Sequence, residues 1–375
     1  MLRQAEFSHR SLLATVAGLV VVAAGACAGH GSSRVVEEPA YIERNVETLP
    51  LHPPTLEAQE SGTEALLQAV SPVTDEVVWV SGHQGTYSRS VDGGTTWETA
   101  VVPGADTLQF RDVHAASASE AWLLSAGPGQ LSKVFHTNDA GATWTLQWTN
   151  PEPDGFYDCF DFWDVKRGAL YGDAVDGGLR IMRTEDGGET WERVPEDALP
   201  PAGEGEGGFA ASGTCLVTGD EGRGWISTGN ADPSRVLVTT DYARSWESRS
   251  QPIPGGSGGG LFSVSFRDAR SGIVFGGSLN PDAEPGPRVA ISTDGGKSWT
   301  VAGEPTIAGA IFGGAWIPGT EVPLVVIVAP TGADYSLGGQ RWVSLNTEAY
   351  WGIGFASPDA GWLVGPGGRI TKVRF

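Results

Sequence analysis

SVDGGTTW at residues 90–97, TNDAGATW at 137–144, TEDGGETW at 184–191, TTDYARSW at 239–246 and STDGGKSW at 292–299 are five versions of one octapeptide, S/T-x-D-x-G-x-S/T-W. This is the Asp-box. Its anchors are Asp92 and Trp97, Asp139 and Trp144, Asp186 and Trp191, Asp241 and Trp246, and Asp294 and Trp299. A decayed sixth copy ends at Trp342, with Gly339 kept and Leu337 where the Asp belongs. Successive Trp residues lie 47, 47, 55, 53 and 43 positions apart. One match would mean little, but five at near-constant spacing mark a structural repeat. Short alternating runs flank each copy, so the octapeptide reads as a hairpin cap. In it a Gly permits positive φ, the carboxylate accepts from turn amides, and the Trp covers the turn. One Asp per repeat, each on its own peripheral turn, makes a structural set and not a catalytic or metal-binding one.

A second cassette precedes each box. FWDVKRGALYG at 162–172, FRDARSGIVFG at 266–276 and FASPDAGWLVG at 355–365 each read as strand, Gly-containing turn, strand. Two strands from each cassette make four per unit, and units of about 40–50 residues with four strands are propeller blades. The expected fold is all-β: a seven-bladed β-propeller with blades near 62–102, 107–149, 156–195, 208–250, 260–303, 306–346 and 349–375, six blades being the alternative. The last unit has three strands before the chain ends. An open edge there would invite aggregation, so an N-terminal strand is expected to close it, the candidate being residues 41–49 (YIERNVETL).

Composition agrees. The 375 residues contain 54 Gly, 24 Pro and 14 Trp, with 40% hydrophobic residues, which suits a turn-rich chain with a large core. Lys occurs only at positions 133, 166, 297 and 372, and the net charge is −21. Such a chain repels nucleic acid and anionic membrane faces. At the N-terminus, Arg3 and Arg10 precede an uncharged run at 11–26 that is too short and too rich in Ala and Gly to span a bilayer. Residues 1–26 read as a signal peptide. The sequence Ala24-Gly25-Ala26-Cys27 resembles a lipobox, Ala24 standing where Leu is usual. The expectation is a periplasmic or cell-surface lipoprotein: lipid on Cys27, a tether over 27–61, and the propeller over 62–375. It is expected to be a monomer that meets the membrane only through its lipid.

The repeated F-x-D-x-x-x-G turn followed by the Asp-box resembles the photosystem II stability/assembly-factor-like propellers over residues 45–375. The Asp-boxes alone are shared with sialidases and other BNR-repeat proteins. The stretches 149–158, 171–177 and 206–215 resemble the bacterial branch of that family. The resemblance implies an exported, non-enzymatic scaffold that binds a protein or membrane-complex partner and carries no cofactor.

The competing reading is a sialidase-like glycoside hydrolase. It needs three convergent arginines, a Tyr–Glu pair and an Asp acid. The Phe-Arg-Ile-Pro element of that family is missing, and only Arg111 among the candidate arginines falls on an inner strand. There is no C-x-x-C, H-E-x-x-H or EF-hand loop, so no metal site is expected. His114, also on an inner strand, reads first as a wall residue. The distinctive feature is a run of acids in the third blade and its following linker: Asp158 and Asp161 on the innermost strand, Asp173 and Asp176 after the second, then Glu204 and Glu206. The longest departures from the repeat, 149–156 and 195–209, bring Trp148, Phe156 and Tyr157 towards them. Aromatics beside carboxylates suit a partner segment with apolar and basic residues. Neutralising Glu204 and Glu206 is expected to leave the fold intact, because both sit in a Gly-rich loop. Cys159 and Cys215 align on adjacent inner strands at similar height. Divergence of those strands favours two buried thiols over a bridge.

Overall fold

The computed structural model describes residues 53–375. They form seven four-stranded antiparallel sheets. In the first blade Leu67–Pro72, Val78–Gly82, Thr86–Ser90 and Glu98–Val101 succeed one another from the centre outward, and the strands of every blade are called A to D in that order. The A strands of blades 1 to 7 are Leu67–Pro72, Phe110–Ala115, Tyr157–Phe162, Leu216–Thr218, Gly259–Phe266, Gly313–Trp316 and Gly352–Ser357. Each lies against the A strands before and after it, and the seventh meets the first, so the ring closes.

Blade 7 takes its outer strand from the N-terminal side, as expected, but from a different segment. Thr55–Glu60 pairs antiparallel with Arg369–Arg374, with Thr55 opposite Arg374 and Glu60 opposite Arg369. The candidate at 41–49 lies outside the described residues, and the stretch read as tether supplies the strand. An outer strand carries almost no burial signal, since five of these six residues are exposed. Position decides the matter, because the short link at 61–66 leads directly into blade 1.

Burial falls from the middle of each blade outward. Ala121–Ser125 and Leu324–Ala329 are B strands buried along their whole length, whereas Glu98–Val101 is exposed or half-exposed. The core is a series of layers between neighbouring blades. Trp79 and Tyr87 of blade 1 pack with Phe110, Leu123 and Phe135 of blade 2, while Val78 and Val80 pack with Trp362 and Val364 of blade 7.

The five repeated turns share one hydrogen-bond pattern. Thr184 Oγ1 donates to Asp186 Oδ1 at 2.8 Å, and the Thr190 amide and hydroxyl donate to the two carboxylate oxygens at 2.9 and 2.6 Å. The same set recurs around Asp92, Asp139, Asp241 and Asp294. In the fourth copy Ala243 stands in the Gly position and takes φ +60°. Each Trp does more than cover its own turn. Trp144 packs edge-on against Tyr87 of the preceding blade at 5.0 Å, and Trp191 against Phe162 of its own inner strand at 5.9 Å, in a cluster shared with blade 2.

A second set of indoles reaches forward. Trp79, Trp122 and Trp225 donate Nε1–H to the carbonyls of Ser117, Gly187 and Gly295 at 2.9, 2.9 and 3.0 Å. Near the centre, side chains stitch A strand to A strand. Asp112 Oδ2 accepts from the Phe160 amide at 2.9 Å, and Ser71 Oγ accepts from the Ala115 amide at 3.0 Å. Cys159 and Cys215 correct the expectation of free thiols. They form a disulfide between blades 3 and 4 with Cα atoms 5.9 Å apart. At the height of the two cysteines the neighbouring inner strands are close enough that the separation falls inside the range a bridge spans.

Candidate functional site

In an antiparallel four-stranded blade the A–B and C–D connections share one face of the ring, and the B–C and D–A connections share the other. On the second face the ends of the A strands surround a cavity of about 200 Å³. Phe209, Phe262, Phe312 and Trp351 form one side, and Gln68, His83 and Arg111 the other. Phe209 stacks on Phe262 with centroids 3.8 Å apart and planes at 1°, and Phe312 continues the series at 5.7 Å and 5°. Trp351 meets Phe312 edge-on at 5.5 Å. The four aromatics come from three different blades and one linker, each at or just before an A strand. No local motif announces them, and reading the sequence motif by motif misses them. Aligning the residue that enters each A strand would have been the signal.

The polar side is held in one orientation. Gln68 Nε2 donates to the Ala210 carbonyl at 2.5 Å, which leaves Oε1 to accept from His83 Nε2 at 2.7 Å. Burial, and then the Arg111 charge, lower the His83 pKa to about 4, so the ring is neutral at neutral pH. Arg111 donates Nε and Nη2 to Gln109 Oε1 at 3.0 and 2.5 Å. Its Nη1 has no hydrogen-bond acceptor among the described residues, so the guanidinium retains donor capacity towards the cavity.

Near Arg111 lies an acid pair, Asp158 buried and Asp173 half-buried. Asp158 is 2% exposed, and its Oδ2 has no hydrogen-bond partner among the described residues. Burial, and then the neighbouring Asp173 charge, raise its pKa well above the carboxylate range, against the pull of Arg111. Burial also raises Asp173, to about 6. Burial thus favours the neutral form of both carboxyls, and each charge raises the cost of ionising the other. The linker of blade 4 lies directly over them. The Gly208 amide donates to Asp173 Oδ1 at 3.1 Å, and a Cβ on Gly207 would sit 1.8 Å from that same oxygen. Only a glycine backbone can approach so closely.

The other expected site residues go elsewhere. Glu206 is 1% exposed and grips Arg235 through both oxygens at 2.7 and 2.6 Å while accepting from the Gly203 amide at 2.8 Å. It therefore holds the linker, and the premise that it sits unengaged in a Gly-rich loop is corrected. Glu204 is exposed on that linker, and Asp176 is exposed in a tight turn at φ +53°. Trp148 meets Tyr157 edge-on at 4.9 Å in the layer between blades 2 and 3. Burial, and then Glu152, raise the Tyr157 pKa to about 12. Phe156 is half-buried and bridges to Pro128. His114 lies three residues along the strand from Arg111, with Nδ1 2.6 Å from Asp161 Oδ1. Asp161 Oδ2 also accepts from the Thr218 amide and hydroxyl at 2.8 and 2.9 Å, tying blade 3 to blade 4. Of the acids and aromatics singled out in the sequence, the structure brings Asp158 to Arg111, with Asp173 beside Asp158. No group of three or more His, Cys, Asp or Glu among the described residues has the arrangement of a metal site.

No family model matches the chain. A xyloglucanase from a Paenibacillus species is 25% identical over 285 residues, covering 64% of this chain and 26% of that enzyme. The chain thus spans about a quarter of that relative. Among solved structures, YCF48 bound to a D1 peptide superposes with a TM-score of 0.60 at 18% identity, covering 88% of this chain and 99% of the other. YCF48 from Cyanidioschyzon merolae gives 0.59 at 16%, covering 85% and 98%. The GH74 xyloglucanase from Xanthomonas campestris gives 0.60 at 15%, covering 84% and 53%. These likenesses and the seven closed sheets define the class as a seven-bladed β-propeller. Both a peptide-bound protein and an enzyme stand among its neighbours, so fold does not choose between their roles.

Proposed function

We propose that this chain is an exported, membrane-tethered scaffold of the photosystem II assembly-factor-like kind, and that it binds a polypeptide segment at the mouth of its ring without a chemical step. One observation carries this reading: the mouth is lined by aromatic plates and Arg111, and no carboxylate lines it. Glycoside hydrolysis uses two carboxyls that flank the scissile bond, about 5–5.5 Å apart for retention or about 6.5–9.5 Å for inversion. Asp158 and Asp173 touch each other and lie under the Gly207–Gly208 backbone. The accessible charge is the Arg111 guanidinium, so the fitting segment presents apolar and acidic groups, in place of the apolar and basic ones read from the sequence. YCF48 with its bound D1 peptide is a propeller of nearly the same extent that holds a peptide.

Hydrolysis is the second reading, favoured by the 25% identity to a xyloglucanase. One pair of assays separates the two. Purified protein is incubated with xyloglucan and reducing ends are measured, and a fluorescent peptide panel varying in apolar and acidic content is titrated in parallel. The expected result is no sugar release, with binding of apolar–acidic peptides weakened about tenfold or more by Arg111→Gln or Trp351→Ala, the scale of one lost buried contact. Xyloglucan turnover that Asp158→Asn abolishes would establish the hydrolase instead.

A further inference from the structure

The repeated turns lie on the face opposite the mouth, where blades 4 and 5 leave a cleft of about 500 Å³. Four cations line it. Arg223 comes from the A–B turn of blade 4, Arg249 from its outer strand, Arg270 from the A–B turn of blade 5, and Lys297 from the repeated turn of blade 5. The carboxylates of the cleft are already engaged. Asp294 accepts from the Ser292 and Ser298 hydroxyls at 2.8 and 2.6 Å, and Glu247 pairs with Arg249. Arg223 pairs with Glu221 at 2.9 Å.

Arg270 and Lys297 are different. Arg270 donates Nε to the Thr293 carbonyl at 3.2 Å and has no carboxylate within ion-pair distance among the described residues. Lys297 has no side-chain partner among them at all. Both are exposed. In a chain with 45 acidic residues against 24 basic ones, counter-charges are plentiful. Yet two unpaired cations face one cleft, which two further guanidiniums also line. Their mutual repulsion and unfilled donors are both relieved by an anion between them.

We propose that this cleft binds a phosphoryl group carried by a small soluble ligand, with Arg270 and Lys297 as its primary contacts. A phosphoryl group offers several acceptor oxygens around one centre, which a planar guanidinium fork and a mobile ammonium can share. The volume exceeds that of a bare ion and lies within the range of small-ligand sites. A net charge of −21 opposes close approach to an anionic bilayer, which argues for a soluble ligand over a lipid headgroup. The cleft and the mouth lie on opposite faces, so this site stands or falls independently of the proposed function.

The test uses the full chain at fixed ionic strength, with inorganic phosphate as probe and chloride as the control anion. Calorimetric titration and the melting temperature are read together, for wild type, Arg270→Gln/Lys297→Gln and Lys166→Gln. Lys166 is an exposed lysine of the same face outside the cleft. Saturable phosphate binding is expected, with a rise in melting temperature, weakened about tenfold or more in the double variant and unchanged in Lys166→Gln. A parallel arm offers vesicles of phosphatidylglycerol and phosphatidylcholine, which should not bind. No saturation by tens of millimolar phosphate, equal binding by the double variant, or capture by vesicles without binding of free phosphate would each overturn the proposal.

Discussion

A carboxylate bonded by its own turn and a carboxyl sealed against a second one respond to acid in opposite senses. Asp294 is held at about 2: partial burial pushes it up, but the Ser298 hydroxyl and amide and the Ser292 hydroxyl outweigh that. Stability from such a group is present above its unfolded pKa near 4 and is lost as pH falls through about 2. Asp158 and Asp173 are raised by burial, Asp173 to about 6. Their contribution is present below the unfolded pKa near 4 and is lost as pH rises through the folded values. The pair therefore destabilises the folded ring progressively from about pH 4 past pH 6. Asp158→Asn removes one of the two titrations, so its melting temperature relative to wild type should rise as pH increases across that window. A difference between the two proteins that stays constant from pH 4 to 7 would dismiss the raised carboxyl pair.

At the scale of elements, the closing strand and the blade 4 linker show how little their own sequences say about their roles. Thr55–Glu60 is exposed, yet Gln59 accepts from Trp97 Nε1 at 3.3 Å and donates to the Gly93 carbonyl at 3.4 Å, and Glu57 pairs with Arg374 at 2.8 Å. It joins blade 7 to the first repeated turn of blade 1. Without it, Arg369–Arg374 becomes an open sheet edge. A chain lacking residues 53–60 should melt earlier and associate in a concentration-dependent way, measured by scanning calorimetry and light scattering. If the shortened chain melts with the full one and stays monomeric, the strand does not close the ring. The linker is the reverse case. It looks like a free Gly-rich loop, but the Glu206–Arg235 pair and the reciprocal Gly207–Gly229 amide–carbonyl bonds at 3.1 and 2.8 Å pin it over the acid pair.

For the whole molecule, the ring is closed by the N-terminal strand and cross-linked covalently between blades 3 and 4, in addition to the hydrogen bonds that run from blade to blade. The disulfide closes a loop across 56 residues of sequence separation. Constraint of the unfolded chain by a loop of that size is worth about 2–4 kcal/mol. Cys159→Ser/Cys215→Ser should lower stability to denaturant by that amount, with the slope of the transition reporting any added loosening of the unfolded state. Thiol titration of unfolded, unreduced wild-type protein should find neither Cys159 nor Cys215 free. Reactive thiols at both positions would remove the bridge from the native state.

What the sequence by itself determined was the blade. The Asp turns, the paired cassettes and the near-constant Trp spacing are local patterns, and local hydrogen bonds such as those of Asp186 form wherever the octapeptide occurs. Seven units and an N-terminal closure followed from counting. What only the tertiary structure decided was which residues meet at the axis. Phe209, Phe262, Phe312 and Trp351 enter from three separate blades and a linker, and their stacking exists only because the ring closes. The same closure buried Asp158 and Glu206, joined Cys159 to Cys215 and left Arg111 facing the cavity. A repeat encodes each unit's own hydrogen bonds. The distance between two units is set by side-chain packing in the layer between them, and no single repeat contains that layer.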